Sequence, residues 1–104
     1  MTAKEFIETL PSKVNAEALT GMDTVFHFDL DGGAMQKTVK VENGHMTILD
    51  GLQGAEKCKI TAKSDLLMRI VRGEENPTMA VMMGKIKISN LGEMMKFAPK
   101  FGLM

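Results

Sequence analysis

Apolar and polar residues alternate along several stretches of the chain, as they do in strands that bury one face. The clearest stretch runs from Thr24 to Leu30 and places Phe26, Phe28 and Leu30 on the same side. Because successive side chains of a strand point to opposite faces, this side is expected to face a core. The same period of two predicts four further strands, at residues 35–42, 45–49, 55–62 and 85–88.

Short glycine-containing turns separate the first three of these strands. Asp31-Gly32-Gly33 is short enough for a tight return, and Asn43-Gly44 tolerates the positive φ that a two-residue hairpin turn requires at both central positions. We therefore expect the first three strands to form an antiparallel meander.

A helical pattern precedes the first strand. Thr2 and Glu5 have the spacing of a capping box, in which each side chain satisfies the backbone amide of the other. An apolar stripe of Phe6, Ile7 and Leu10 follows, which predicts a helix that begins at Ala3 and is interrupted at Pro11. With a second short helical segment at residues 16–19, it is expected to form a lid-like pair.

Two more helices are predicted after the fourth strand. One is expected to be capped by Ser64 and to end at Gly73, since serine is a favoured N-cap and glycine a favoured C′ residue. The other runs from Leu91 to about Ala98 and is stopped by Pro99. Beyond it lies a weakly anchored apolar tail that contains Phe101, Leu103 and Met104.

The stretch from Asn76 to Asn90 joins a helix to a strand within a few residues. Asn76 suits the N-cap position and Pro77 the first helical position, so the helix is expected to start at Pro77. Residues 79–83 are apolar on nearly every side, which predicts burial from more than one direction. Gly84 suits the end of this helix, and the fifth strand follows.

The pattern Asn-Pro-x-x-Ala-x-x-x-Gly-Lys at residues 76–85, followed by alternating residues, resembles the sterol carrier protein family. The resemblance extends to residues 24–30 and 64–73, and covers residues 22–98. It implies an α+β fold in which helices cover one face of a twisted, mostly antiparallel five-stranded sheet, with an apolar cavity between them.

Members of this family hold sterols, fatty acids or acyl chains in a tunnel between the sheet and the helices. Carried onto this chain, the resemblance implies that the ligand contacts the following apolar residues: Phe26, Phe28, Leu67, Ile70, Val71, Met79, Met82, Met83, Ile86, Ile88, Met94, Met95 and Phe97.

Composition and charge are those of one ordinary globular domain spanning residues 1–104. The chain is 44% apolar, and its 13 basic residues balance its 13 acidic ones, so we expect no nucleic-acid partner. It lacks both a signal-like start and an apolar run long enough to cross a bilayer. We therefore expect a cytoplasmic protein without stable membrane insertion.

The residues that carry chemistry are few. His27 and Asp29 share one face of the first strand, but they alternate with the phenylalanines and should therefore lie on the outer sheet face. The two histidines and Cys58 do not have the spacing of a metal site, and Cys58 has the position of a small buried apolar residue. We expect no catalytic residues, no metal and no cofactor.

Methionine is unusually frequent, with 11 of 104 residues. These side chains could fill gaps in the core, line an adaptable cavity, or bind Cu(I) through their thioethers. We expect a non-enzymatic carrier of a hydrophobic small molecule. The alternatives are a methionine-rich interaction module, including a homodimer, and an accessory domain that presents lipids to an enzyme.

Overall fold

A computed structural model describes residues 1–100 of the chain, so the predicted apolar tail at Phe101, Leu103 and Met104 lies outside the described residues. The regular elements, in chain order, are α1 (Ala3–Lys13), a 3₁₀ helix (Ala16–Leu19), β1 (Thr24–Leu30), a 3₁₀ turn (Asp31–Gly33), β2 (Met35–Glu42), β3 (His45–Asp50), β4 (Cys58–Ala62), α2 (Ser64–Val71), α3 (Pro77–Met82), β5 (Lys87–Ile88) and α4 (Leu91–Phe97).

The five strands form one open sheet in the order β3-β2-β1-β4-β5. All neighbours are antiparallel except β1 and β4, which run parallel. On the inner face Phe26 lies between Val39 of β2 and Cys58 of β4, and the helices pack over this face. The predicted α+β fold, with a mostly antiparallel sheet, is confirmed.

The predicted capping box and apolar stripe at the start of α1 are both present. Glu5 N donates to Thr2 Oγ1 and Thr2 N donates to Glu5 Oε1, each at 3.1 Å. The predicted end at Pro11 is wrong, because α1 continues to Lys13 with Pro11 in its last turn. A proline so near the end removes one helical hydrogen bond but leaves the Val14 amide free to donate to the Leu10 carbonyl.

Ser64 is the first residue of α2 and not its cap. Asp31, from the turn between β1 and β2, accepts hydrogen bonds from both the amide and the hydroxyl of Ser64. A carboxylate from a distant turn therefore satisfies the start of α2. Local sequence could not reveal this contact, because the two residues are 33 positions apart.

The burial predicted for residues 79–83 from more than one direction is also wrong. Ala80 is the only buried residue of α3, whereas Met79, Met82 and the adjacent Met83 are exposed. The helix has only six residues and lies at the surface, so a single face of it meets the protein.

Both β4 and β5 are shorter than predicted. Residues 51–57 leave the sheet and fold over its outer face, where Gln53 N donates to Thr38 Oγ1 at 2.9 Å. Only Cys58 to Ala62 then pair with β1. β5 retains two residues, and its pairing is extended by Ser89 N, which donates to the Lys59 carbonyl at 3.0 Å.

Candidate functional site

A cavity of about 380 Å³ lies between the β4–β5 side of the sheet and the helices α2, α3 and α4. Among the described residues that line it, Thr78 has the only polar side chain and none is charged. The lining consists of Ile60, Leu67, Ile70, Pro77, Thr78, Val81, Met82, Ile86, Ile88, Leu91, Met94, Met95 and Ala98.

The cavity has a buried floor and an exposed mouth. Ile60 of β4, Leu67 of α2 and Ile86 are buried and form part of the floor. The exposed lining residues all belong to the two helices that flank the opening, namely Thr78 and Met82 of α3 and Leu91 and Met95 of α4. The cavity therefore opens between α3 and α4.

Caps at both ends hold α3 in place beside the cavity. Asn76 Oδ1 accepts a hydrogen bond from Met79 N at 3.1 Å, and Pro77 occupies the first turn, as the sequence predicts. At the other end Gly84 adopts a φ of 74°, and Lys85 N donates to the Ala80 carbonyl at 2.9 Å. The chain can therefore turn at once from α3 towards Ile86 and β5.

A chain of ion pairs connects α3 to α2. Lys85 Nζ donates to Glu75 Oε1 at 3.0 Å, and Glu75 also lies 3.5 Å from the guanidinium of Arg69. The hydrogen bond from Lys85, with the charges of Lys85 and Arg69, lowers the pKa of Glu75. Both ends of the α3 segment are thus connected to α2, which carries part of the floor.

One polar contact caps the start of α4, and a second fixes the helix against the sheet. Asn90 Oδ1 accepts from Glu93 N at 3.0 Å, and Thr24 Oγ1 of β1 donates to Glu93 Oε2 at 2.7 Å. Below them Phe97 packs edge to face on Phe26, with ring centroids 5.3 Å apart. These contacts hold the buried side of α4 and leave Leu91 and Met95 at the mouth.

Cys58 belongs to the core beneath the start of α4. Its thiol donates to the Asn90 carbonyl at 3.5 Å, and burial raises the pKa of Cys58. A raised pKa keeps the group in its unreactive thiol form. The side chain therefore packs as a small apolar residue, as its position in the sequence indicates.

The structure brings seven of the thirteen sequence-predicted ligand contacts together around the cavity. These are Leu67, Ile70, Met82, Ile86, Ile88, Met94 and Met95. Phe26, Phe28 and Phe97 lie in the buried core, and the half-buried Val71 packs against it. Met79 and Met83 are exposed on the side of α3 that does not line the cavity.

Six residues line the cavity without having been predicted: Ile60, Pro77, Thr78, Val81, Leu91 and Ala98. A helical wheel of α3 contains the signal for two of them, Thr78 and Val81. Thr78, Val81 and Met82 are spaced i, i+3, i+4 and share one face, whereas Met79 and Met83 share another. The alternation along β4 puts Ile60 on the same face as Cys58, and the helical period puts Leu91 on one face with Met94 and Met95, but nothing in the sequence places those faces beside α3.

His27 and Asp29 lie on the outer sheet face, as the alternation predicts, and neither lines the cavity. His27 is nevertheless buried, because the loop after β3 covers it: its Nε2 lies 2.8 Å from the Gln53 carbonyl oxygen. Asp29 accepts from Gln36 Nε2 at 3.1 Å. His27 therefore holds the covering loop, and Asp29 connects neighbouring strands.

No helix within residues 1–100 combines the length and the apolar character that crossing a bilayer requires.

Solved structures with the same fold come from proteins of different size. The chain superposes with a TM-score of 0.80 and 18% identity on the stereoselective inverting sec-alkylsulfatase Pisa1 from Pseudomonas sp., covering 100% of this chain but only 16% of that one. The palmitated SCP2L2 from Aedes aegypti gives a TM-score of 0.70 at 18% identity, with 97% and 95% covered.

A third similar structure is the sterol carrier protein domain 2 of Helicoverpa armigera, with a TM-score of 0.73, 18% identity, and 95% and 81% of the two chains covered. Identities this low concern the fold alone. A comparison with curated protein sequences finds no match. The model of the SCP-2 sterol transfer family matches residues 3–101, nearly the whole chain, and the chain therefore belongs to that family.

Proposed function

We propose that this protein is a non-enzymatic carrier that binds one hydrophobic ligand in the cavity between α3 and α4. The supporting observation is the cavity itself, whose volume of about 380 Å³ falls in the range of small-molecule sites, roughly 300–1,000 Å³. Its lining is apolar apart from Thr78. Membership of a sterol transfer family supports lipid binding or transfer as the general role.

The lining also determines how a ligand would be oriented. A polar or charged head group buried against Ile60 and Leu67 would have no hydrogen-bond partner there, and such burial is unfavourable. At the mouth the head group can reach water and the hydroxyl of Thr78, which is exposed. The ligand is therefore proposed to insert its apolar end first and to keep its head between α3 and α4.

The ligand is proposed to be a sterol, a fatty acid or a fatty acyl chain. The name of the family supports a sterol, and the palmitated form of the similar Aedes aegypti protein supports an acyl chain. An apolar wall separates ligands that differ by one methylene by only ~1–3 kcal/mol, so several related lipids are expected to bind. Extraction and identification of the lipid that co-purifies would name the one bound in the cell.

Native mass spectrometry of delipidated protein, titrated with a fatty acid or a sterol, tests the proposal. We expect a one-to-one adduct with at least one ligand, and displacement of that ligand by a competitor of the same class. A protein that takes up none of these ligands, and runs as a tight dimer instead, would contradict it.

One specific observation favours a second candidate, a methionine-rich interaction module. Met79, Met82, Met83 and Met95 are exposed, and flexible methionines are frequent on surfaces that bind partner proteins. The accessory-domain alternative is supported by the likeness to part of an alkylsulfatase, because that fold there occurs within a longer chain. The interaction module is tested by measuring the oligomeric state, and the accessory domain by adding candidate enzyme partners. Ligand binding is measured in both experiments.

A further inference from the structure

The methionines of the described chain differ widely in exposure. Met68 and Met94 are buried, at 6% exposure each. Between Met79 and Met95, four methionines expose from 51% to 76% of their area, namely Met79, Met82, Met83 and Met95. The thioether sulfur lies near the end of the side chain, so this exposure brings it into contact with water and with dissolved oxidants.

The sulfur atoms also differ in their hydrogen bonds. The Sδ atoms of Met1 and Met22 accept from lysine ammonium groups, at 3.7 and 3.3 Å. Such a bond engages a sulfur lone pair, the electrons that an oxidant would take. Within residues 1–100 no hydrogen bond occupies the sulfur of Met82 or Met95. Both thioethers are therefore open to oxidation.

Two of the four exposed methionines stand at the opening of the cavity, one on each side. Met82 of α3 and Met95 of α4 line the cavity, whereas Met79 and Met83 do not. Besides Met82 and Met95, the exposed part of the lining contains one polar and one apolar residue. A chemical change at these two sulfurs would therefore alter half of the exposed lining.

We propose that Met82 and Met95 form an oxidation site, at which conversion to methionine sulfoxide by a hydroperoxide lowers the affinity for the ligand. With hydrogen peroxide, a sulfur lone pair attacks one peroxide oxygen, so that an S–O bond forms and the O–O bond breaks. Sulfur loses two electrons, and the second oxygen leaves with the proton of the first as water. Methionine sulfoxide reductases reverse the change. This regulation rests on the carrier function proposed above.

Oxidation makes the mouth unfavourable for both parts of a bound fatty acid. Three of the four exposed lining residues would be polar after oxidation, against one before. The alkyl chain that passes between α3 and α4 would lose apolar contacts there. A sulfoxide carries an acceptor oxygen and no donor hydrogen, so it repels a carboxylate head group and forms no hydrogen bond with it. Both effects favour release of the ligand.

Cys58 is the competing target for a peroxide. It is buried, and burial raises its pKa, so the reactive thiolate is scarce. A thioether carries no proton that titrates, and its reaction with peroxide does not depend on a thiolate. Treatment at mildly acidic pH therefore favours the exposed methionines over Cys58.

Treatment of delipidated protein with hydrogen peroxide, followed by peptide mass spectrometry, tests the oxidation itself. We expect oxygen to be added at the four exposed methionines well before Met68 and Met94 react. Titration with a fluorescent fatty acid should then show an affinity about tenfold lower, as expected for a poorly paired polar group beside an apolar chain. The two methionine sulfoxide reductases, one for each epimer, should restore it in the presence of a thiol reductant. Circular dichroism verifies that the oxidised protein remains folded.

A matched pair of double variants locates the effect. Met82→Leu/Met95→Leu removes the proposed site and keeps the mouth apolar, whereas Met79→Leu/Met83→Leu removes two equally accessible sulfurs outside the lining. Each variant is compared with itself before and after peroxide, so differences in its starting affinity do not enter. The first should lose almost no affinity, and the second should lose about as much as the parent, roughly tenfold.

The possible outcomes separate the regulation from the carrier function. Equal losses in the two double variants overturn the proposal, because the oxidation that matters would then lie elsewhere. Full oxidation of Met82 and Met95 with unchanged affinity also rejects the regulation and leaves the carrier function standing. Untreated protein that binds no fatty acid or sterol rejects the carrier function, and the regulation with it.

Discussion

The two sides of the molecule are built from different residues. We call α1 with β1, β2 and β3 the packed side, and α3, α4 and β5 the cavity side. On the packed side Ile7, Leu10, Phe28, Leu30 and Val39 are at most 1% exposed. On the cavity side the helices are short, β5 has two residues, and the exposed methionines surround an opening.

This difference separates stability from adaptability. Branched and aromatic side chains have few rotamers and fill a close-packed interior, so their contacts are lost together when the protein unfolds. Methionine is unbranched and can adapt to a guest or to a surface. Short elements with exposed side chains open locally at a lower free energy than a sheet core. We therefore expect the packed side to set the stability and the cavity side to set binding.

The same substitution on each side gives the largest expected contrast. Leu10→Ala removes a fully buried side chain and should cost ~2–5 kcal/mol, which lowers the melting temperature by roughly 10 °C or more for a domain of this size. Leu91→Ala changes a half-exposed residue and should cost under ~1 kcal/mol. Thermal unfolding followed by circular dichroism measures both. Equal losses would mean that the cavity side is as tightly packed as the sheet core.

Ligand binding should raise the stability of a structure whose cavity side is otherwise poorly filled. At a free ligand concentration ~100 times its Kd, the gain is ~2.7 kcal/mol, which corresponds to a rise in melting temperature of roughly 10–20 °C. Delipidated protein is compared with protein given a long-chain fatty acid or a sterol below its micellar concentration. An unchanged midpoint across a panel of such ligands would contradict the carrier function.

The sequence predicts the elements well wherever the determining contacts are local. The alternation of Phe26 and Phe28, the turn at Asn43-Gly44 and the cap at Asn76 each act within a few residues, and all three are confirmed. The resemblance to a known family supplied what local signals do not contain, namely the arrangement of the sheet and its covering helices.

Errors occur where a distant group changes a local preference. Asp31 replaces the cap expected from Ser64, and the loop after β3 buries His27. Lys37 lies on the inner side of β2 with Val39 and is buried although it is charged. Its ammonium group is accommodated there because α1 supplies Glu8 at 2.8 Å. Hydrogen bonds from Lys37 to Asp50 and Glu8 raise its pKa. The pattern of apolar and polar residues along the sequence does not predict these pairings.

The candidate site was harder to predict than the fold, because a cavity is defined by what does not fill it. The sequence does not show which apolar residues of the family motif line the cavity and which belong to the core. That assignment depends on how the helices are placed on the sheet. Phe97 points into the core and Met95, two residues earlier, to the mouth. Their separation by two positions on a helix puts them on different sides, but the sequence does not say which side adjoins the cavity.

Filling the cavity should separate lining from neighbouring residues. Val81 of α3 lines it, so Val81→Phe should displace part of the ligand and weaken binding about tenfold, at ~0.8 kcal/mol for each methylene that returns to water. Val71 is equally half-buried but lies outside the lining, so Val71→Phe is the matched control. Titration with a fluorescent fatty acid measures both. Equal loss in Val71→Phe would place Val71 in the binding site, as the family resemblance implies.

The smallest predicted effect concerns the contact by which the packed side holds α2. Asp31 follows β1, and its carboxylate accepts from the amide and hydroxyl of Ser64, where the positive end of the helix dipole adds to the attraction. Asp31→Asn keeps a residue that tolerates the positive φ of 56° but removes the charge. The expected loss is about 0.5 kcal/mol at neutral pH. Asp23→Asn, at an exposed position that begins no helix, is the control.

The pH dependence of that difference identifies its cause. The hydrogen bonds from the Ser64 hydroxyl and amide lower the pKa of Asp31 below its ordinary value of 3.8. A carboxyl with a lowered pKa in the folded state stabilises the protein fully above the unfolded value, and this contribution is lost as the pH falls through the folded value. The gap between parent and Asp31→Asn should therefore be constant near neutral pH and should close below 3.8. Urea unfolding across this range measures it, and a gap that persists in acid would mean that asparagine disturbs the turn itself and that the charge contributes nothing to holding α2.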